Sequence, residues 1–227
     1  MDMSPAWEED FPKGYGHTSI AFLRRCVGYE EAKHGNLEAA HFVVSRCVKQ
    51  DRLCDLRKKH PRAVLLPVLG ENRLPLALAQ AIGLPIWTDV YLIQTISRKL
   101  LCAIERLLHK PIFAGTIQEN LEYILVDDVI TQGGTISALR RFVIAAGGIV
   151  VAVAALAYAI GSHAVAPMRY HVVRLMVKFG MALLCLLKTL GIAVSAQGLT
   201  NSQAKYLLRF SSVRNILKRM ARATILS

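Results

Sequence analysis

Tyr123-Ile124-Leu125-Val126-Asp127-Asp128-Val129-Ile130-Thr131-Gln132-Gly133-Gly134-Thr135 is the stretch that decides the fold. Its apolar, β-branched start has the composition of a buried strand. Two adjacent carboxylates end the strand, a turn of small residues follows, and Ile136 to Ala146 has helical character. Open α/β sheets bind ligands at the carboxyl ends of their strands, which is where this order delivers Asp127 and Asp128. Gly133 and Gly134 permit positive φ and close backbone approach. The helix that follows offers unpaired first-turn N–H groups and a partial positive charge, which favour a phosphate. Thr131 and Thr135 add hydroxyls. The acid pair is a poor phosphate ligand but a good acceptor for sugar hydroxyls, and it also suits Mg²⁺, directly or through water. The whole has the makings of a socket for a phosphorylated sugar.

This run resembles the 5-phosphoribosyl-1-pyrophosphate (PRPP) loop of the type I phosphoribosyltransferases, in which the same residue types follow in the same order. The resemblance implies that Asp127 and Asp128 contact the ribose 2′ and 3′ hydroxyls. It implies that Thr131, Gln132, Gly133, Gly134 and Thr135 hold the 5′-phosphate, Gln132 through its backbone. A second match lies upstream. Ala63 to Val68 has strand character, Leu69-Gly70-Glu71-Asn72-Arg73 is a loop, and Leu74 to Ile82 is an apolar helix. By the resemblance this loop binds pyrophosphate through Gly70, Glu71, Asn72 and Arg73, with Arg73 the charge partner. The family also has a flexible loop before the PRPP strand that closes over the reactants and excludes water. The basic stretch from Gln94 to Asn120 is its counterpart here, with Arg98, Lys99, Arg106 and Lys110 as candidates to touch the pyrophosphate. For any single one of these residues a solvated helix face, running from Arg98 to His109, is the simpler reading.

Around these motifs, strands near 63–68, 85–93, 122–127 and 149–156 alternate with helices near 73–82 and 134–146. The pattern predicts an α/β fold: a parallel sheet flanked by helices, with helical additions at both ends. Three segments follow from it. Residues 1–61 form an N-terminal helical segment, flexible up to about residue 20. Residues 62–158 form the type I phosphoribosyltransferase-like core, and residues 159–227 form a basic helical C-terminal region. Asn36 is a candidate N-cap, and Thr200-Asn201-Ser202-Gln203 has capping-box form. Arg169 to Leu190 is a long apolar helix weakened at Gly180. The family's variable "hood", which covers the acceptor base, falls to the N-terminal part, the C-terminal part or both.

Composition sets the remaining bounds. A chain of 227 residues that is 53% hydrophobic can build a real core. From Phe142 to Met168 no residue is charged, but Gly147-Gly148 divides the run into a helix end and a central strand, so no membrane span is expected there. Five cysteines without close pairing, and an acidic start unlike a secretory leader, point to a cytoplasmic protein with reduced thiols. The charge is lopsided. Residues 129–227 carry 12 Lys and Arg and no acid, so the net +12 falls entirely after the acid pair. Arg214, Lys218 and Arg222 recur every fourth residue beside Arg219, with Lys205 and Arg209 before them, a stripe suited to a polyanion.

Two functions follow. One is an enzyme, a pentosyltransferase that moves 5-phosphoribosyl from PRPP to a nitrogenous base with Mg²⁺ and releases pyrophosphate. The other is an effector of the same fold that binds PRPP or a nucleotide and docks on nucleic acid or a nucleoprotein complex, as in a mobile-element or defence system. A homodimer is the assembly the resemblance favours.

Overall fold

The computed structural model describes residues 14–93, 101–159, 166–193 and 195–225. Four parallel strands form its sheet in the order β1-β6-β5-β2. They are β1 (Tyr15–Thr18), β2 (Val64–Pro67), β5 (Glu122–Ile130) and β6 (Ile149–Tyr158). Strands β5 and β6 are buried along most of their length, which is why their sequences are apolar on both faces. Ile86 extends the sheet beyond β2 through a single bridge to Leu65. The α/β architecture expected from the sequence is therefore the observed one.

Helix α5 (Leu74–Ile82) follows β2, and α7 (Gly134–Ala145) follows β5. They lie on opposite faces of the sheet. Leu74, Ala77 and Leu78 of α5 join a core with Ile124 and Val126. Ile136, Leu139 and Val143 of α7 join the other core, with Tyr123 and Leu125. Adjacent strands whose helices leave to opposite faces open a crevice at their carboxyl ends.

Several expectations need correction. The strand β5 does not end at the acid pair. Val129 and Ile130 still pair with Ala157 and Tyr158, because β6 is long enough to offer them a ladder. The strand expected over 85–93 splits. Its start reaches the main sheet, with Pro85 and Trp87 bonding Leu65 on either side of Ile86, while β3 (Val90–Ile93) pairs antiparallel with β4 (Ile112–Gly115). The N-terminal segment is not wholly helical, since β1 is an edge strand of the sheet. The sequence Gly14-Tyr15-Gly16 looks like a loop, but the glycines are there for packing. A Cβ on Gly16 would lie 2.6 Å from the Tyr158 ring. The first 13 residues lie outside the described part.

Four helices precede β2, namely α1 (Ile20–Arg25), α2 (Tyr29–Lys33), α3 (Leu37–Cys47) and α4 (Gln50–Lys59). Asn36 caps α3, accepting the Ala39 N–H at 2.9 Å. All four pack with α5 on one face of the sheet. Helix α6 (Ala103–Leu108) lies between β3 and β4 and belongs to a third core. There Ile104 and Leu107 pack with α8 (Arg169–Thr189), α9 (Asn201–Leu207) and α10 (Val213–Ile225). Thr200 and Gln203 form the expected capping box, and Gly180 breaks α8 with φ 55° and ψ −146°. The uncharged run from Phe142 resolves into the end of α7 and the buried strand β6. Among the described residues helix α8 alone is long and apolar enough to cross a membrane, and its Leu175, Phe179, Leu183 and Leu187 are spent on the third core.

Candidate functional site

A cavity of about 600 Å³ opens at the crevice between β2 and β5. The β2–α5 loop lines it with Val68 to Asn72, and β5 and the glycine turn line it from Asp127 to Ile136. The two motifs found in sequence thus face one space. The pleat sends Asp127 and Asp128 to opposite faces of β5, yet both are buried, at 8% and 6% exposure. The Asp128 N–H donates to Asp127 Oδ1 at 2.8 Å. Burial, reinforced by the Asp128 charge, pushes the Asp127 pKa well above the usual carboxylate range. Burial and then Asp127 likewise drive the nearby Tyr158 hydroxyl upward.

Gly133 sits at φ 70°, ψ 9°, in the left-handed region, and its carbonyl accepts the first bond of α7, from the Ser137 N–H at 2.9 Å. The amides of Gly134, Thr135 and Ile136 therefore have no acceptor within the helix and border the cavity. Thr131, Gln132 and Thr135 line the same wall, and Gln132 Oε1 is buried without a hydrogen-bond partner.

The opposite wall comes from elements that carry no motif. Helices α1 and α2 supply Arg24, Tyr29, Lys33 and His34, and α6 supplies Arg106. Lys33 Nζ lies 2.8 Å from Asp128 Oδ2. Burial alone would lower the lysine's pKa, but the Asp128 carboxylate outweighs it and the net shift is upward. The contact is an ion pair, and a carboxylate has several lone pairs, so Asp128 keeps accepting capacity for a ligand. Arg106 Nε is buried and unpartnered at the cavity wall. The N-terminal helices thus act as the cover over the sheet's carboxyl edge. A lysine one helix turn past a tyrosine carries no sequence signal by itself, and this part of the site was missed.

The remaining expected site residues divide. Gly70, Glu71 and Asn72 border the cavity, but Arg73 does not. Its N–H donates to the Ala32 carbonyl at 3.0 Å as it caps α5, and the cations at the cavity come from the cover instead. Glu71 is highly exposed and its carboxylate lies 3.4 Å from His34, while Asn72 Oδ1 accepts the Leu74 N–H. Arg98 and Lys99 lie outside the described residues. Lys110 is turned away from the cavity. Its ammonium caps the carboxyl end of α8 through the Gly191 and Ile192 carbonyls, and burial, aided by Arg141, lowers its pKa to about 8. Lys205, Arg209, Arg214, Lys218, Arg219 and Arg222 are all exposed, and α10 turns Ile216 and Met220 inward.

The C-terminal unit does not line the cavity but holds the turn that does. Ser202 Oγ donates to the Thr131 carbonyl at 3.2 Å, and Thr200 Oγ1 donates to the Gln132 carbonyl. Arg141 of α7 donates to the Gly198 carbonyl at 2.8 Å.

For magnesium, the donor set does not fit. Asp128 already faces an ammonium, Asp127 projects from the other face of the strand with one oxygen accepting the Asp128 N–H, and no group of three or more His, Cys, Asp or Glu side chains suited to a metal occurs among the described residues.

No family model matches the chain. It is similar to Protein TraN of Escherichia coli, 34% identical over 156 residues, covering 63% of this chain and 34% of that one. It is also similar to an uncharacterized protein of Haemophilus influenzae, 29% identical over 155 residues, covering 63% and 35%. The chain spans about a third of the length of the curated relatives it matches. Among solved structures, it is similar to a purine phosphoribosyltransferase from Pyrococcus horikoshii, 19% identical with a TM-score of 0.33, covering 53% of this chain and 71% of that one. An adenine phosphoribosyltransferase is 15% identical with a TM-score of 0.37, covering 55% and 72%. The UMP synthase of Leishmania donovani is 13% identical with a TM-score of 0.35, covering 82% and 35%.

Proposed function

We propose that the cavity binds PRPP and that the protein is a phosphoribosyltransferase acting on a nitrogenous base. One observation carries this reading: a single cavity joins a glycine turn with free helix amides, an acid pair beside it, and cations facing both. The 5′-phosphate sits on the amides of Gly134, Thr135 and Ile136, with the Thr131 and Thr135 hydroxyls. The ribose hydroxyls meet Asp127 and Asp128. The diphosphate lies toward the β2–α5 loop, where Gly70 and Asn72 give backbone and amide donors and Arg24 and Arg106 give charge.

In the reaction the bond from the anomeric carbon to the diphosphate oxygen breaks and takes its electron pair with it. The base nitrogen forms the new bond, and the proton it carried passes to the departing diphosphate or to water. Charge grows on the departing oxygen, where the guanidinium groups stabilise it, and positive charge grows on the ribose near Asp128. The cover keeps water from competing as acceptor. Any Mg²⁺ travels with the diphosphate of the ligand.

The test is calorimetric titration of PRPP with Mg²⁺ into the wild-type chain and into an Asp127→Asn/Asp128→Asn double variant. Saturable binding lost in the variant is expected, followed by base-dependent release of pyrophosphate. A folded wild-type chain that takes no PRPP would sink the proposal.

The second reading, an effector docked on a nucleic acid, is favoured by the exposed basic face of α10 in a half-chain without acids. It predicts salt-dependent retention on heparin that disappears when Arg214, Lys218, Arg219 and Arg222 are neutralised. The two readings are compatible, since the basic face and the cavity share no residue.

A further inference from the structure

We propose that Lys33 is the permanent counter-ion of the acid pair. Its ammonium fills the place opposite Asp128 that a divalent ion would otherwise take, so the cavity receives a phosphorylated pentose with no metal ion bound to the chain itself. The proposal rests on the phosphorylated-sugar reading for its ligand and on the geometry of Lys33 for the rest.

The lysine is held, not free. Its side chain is 19% exposed and that of Asp128 is 9%, so water screens the pair weakly. The ammonium also lies 5.4 Å from the centre of the Tyr29 ring, one turn earlier on α2. Tyr29 and Ala32 fix that helix in the core, and the Ala32 carbonyl accepts the Arg73 N–H, tying α2 to the β2–α5 loop. An ammonium so placed leaves Asp128 only by giving up both the ion pair and the ring contact.

The surroundings offer a hard divalent ion little. Such ions want several oxygen ligands at once. Asp127 projects from the other face of the strand and one of its oxygens accepts the Asp128 N–H. Glu71 is 73% exposed and beside His34. An ion would have to displace the ammonium from Asp128 and then find its other ligands elsewhere. The lysine, by contrast, adds something for a sugar. Its remaining N–H donors face a cavity that both it and Asp128 line, so a ligand hydroxyl can accept from Lys33 and donate to Asp128.

Two titrations of the full chain decide the matter. In the first, Mn²⁺ is added and free ion is followed by electron paramagnetic resonance. The wild-type chain should leave the free-ion signal intact. Uptake by the wild type that Asp128→Asn abolishes would overturn the proposal, and this arm needs no variant of Lys33 to fold. In the second, ribose 5-phosphate, a ligand without a diphosphate to carry the metal, is titrated in EDTA and in Mg²⁺. Wild-type affinity should be the same in both. Lys33→Met should lose about tenfold in EDTA and recover in Mg²⁺, whereas Lys33→Arg should stay metal-independent. Wild-type binding that vanishes in EDTA would overturn the proposal. No binding in either buffer would sink the phosphorylated-sugar reading instead, leaving the Mn²⁺ arm to judge Lys33.

Discussion

The two walls of the cavity are built on opposite principles. The sheet wall supplies acids and backbone amides, from β5, the glycine turn and the β2–α5 loop. The helical cover supplies cations, from α1, α2 and α6. Sheet-borne groups are fixed by a ladder and by helix starts, so their chemistry is tied to local sequence. Cover-borne groups come from segments far apart in the chain, so only tertiary packing brings them together. The sheet wall sets what kind of ligand fits, and the cover sets how tightly its charge is held.

The most severe break falls on the sheet wall. Gly133→Val puts a β-branched residue at φ 70° and tilts the amides that would meet the phosphate. Binding of PRPP and ribose 5-phosphate by calorimetry should be lost altogether, with the far-ultraviolet circular dichroism of the folded chain retained. Retained binding of ribose 5-phosphate would remove the turn from the phosphate's place.

This asymmetry also explains what the sequence let through. The turn, the acid pair and both βα units were legible because strand, loop and helix follow one another within a few residues. Asn36 and the Thr200–Gln203 box were legible for the same reason, since a cap is a local bond. Strand β1 was not, because its glycines exist to admit Tyr158 from far along the chain. Nor was the pairing of β3 with β4 across 18 intervening residues. Arg73, given to the pyrophosphate by the resemblance, lies outside the cavity lining, and Lys110, a lid candidate by its charge, meets the end of α8.

The second prediction concerns the sheet's edge strand, away from both walls, where the N-terminal helices meet it. His17 of β1 is 2% exposed, and its Nδ1 accepts the Lys49 N–H at the start of α4, which holds the ring neutral. Burial, with Arg52 adding repulsion, lowers its pKa from 6.5 to about 4. Between those values the unfolded chain binds the proton and the folded chain does not. Stability should therefore be full above about pH 6.5, fall as pH drops toward 4, and level off below that. The loss is at most about 3 kcal/mol. Urea unfolding across that range should show it, and His17→Gln should flatten the portion it contributes. An unchanged profile in the variant would mean that other groups govern the acid limb.

A smaller effect tests the cover's charges. Arg24→Gln and Arg106→Gln should each weaken PRPP about tenfold while leaving ribose 5-phosphate nearly untouched, because only PRPP carries the diphosphate. Equal losses for both ligands would place these cations over the 5′-phosphate, and the ligand would have to lie reversed in the cavity.

The smallest effect probes whether the C-terminal unit belongs to the site or merely accompanies it. Ser202 donates to the carbonyl of Thr131, at the start of the glycine turn, from a helix that contributes nothing to the cavity lining. Ser202→Ala removes that bond without touching the cap made by Thr200. The turn keeps its covalent path and its start of α7, so the expected loss is that of one hydrogen bond, about 0.5–1.5 kcal/mol, or a few-fold in affinity. The thermal midpoint should move little, since the bond lies at the edge of the third core. If PRPP affinity falls while the midpoint holds, the C-terminal helices tune the turn, and the basic face of α10 is mechanically connected to the cavity through α9. If affinity and midpoint both stay put, the two halves of the molecule share a surface but not a task.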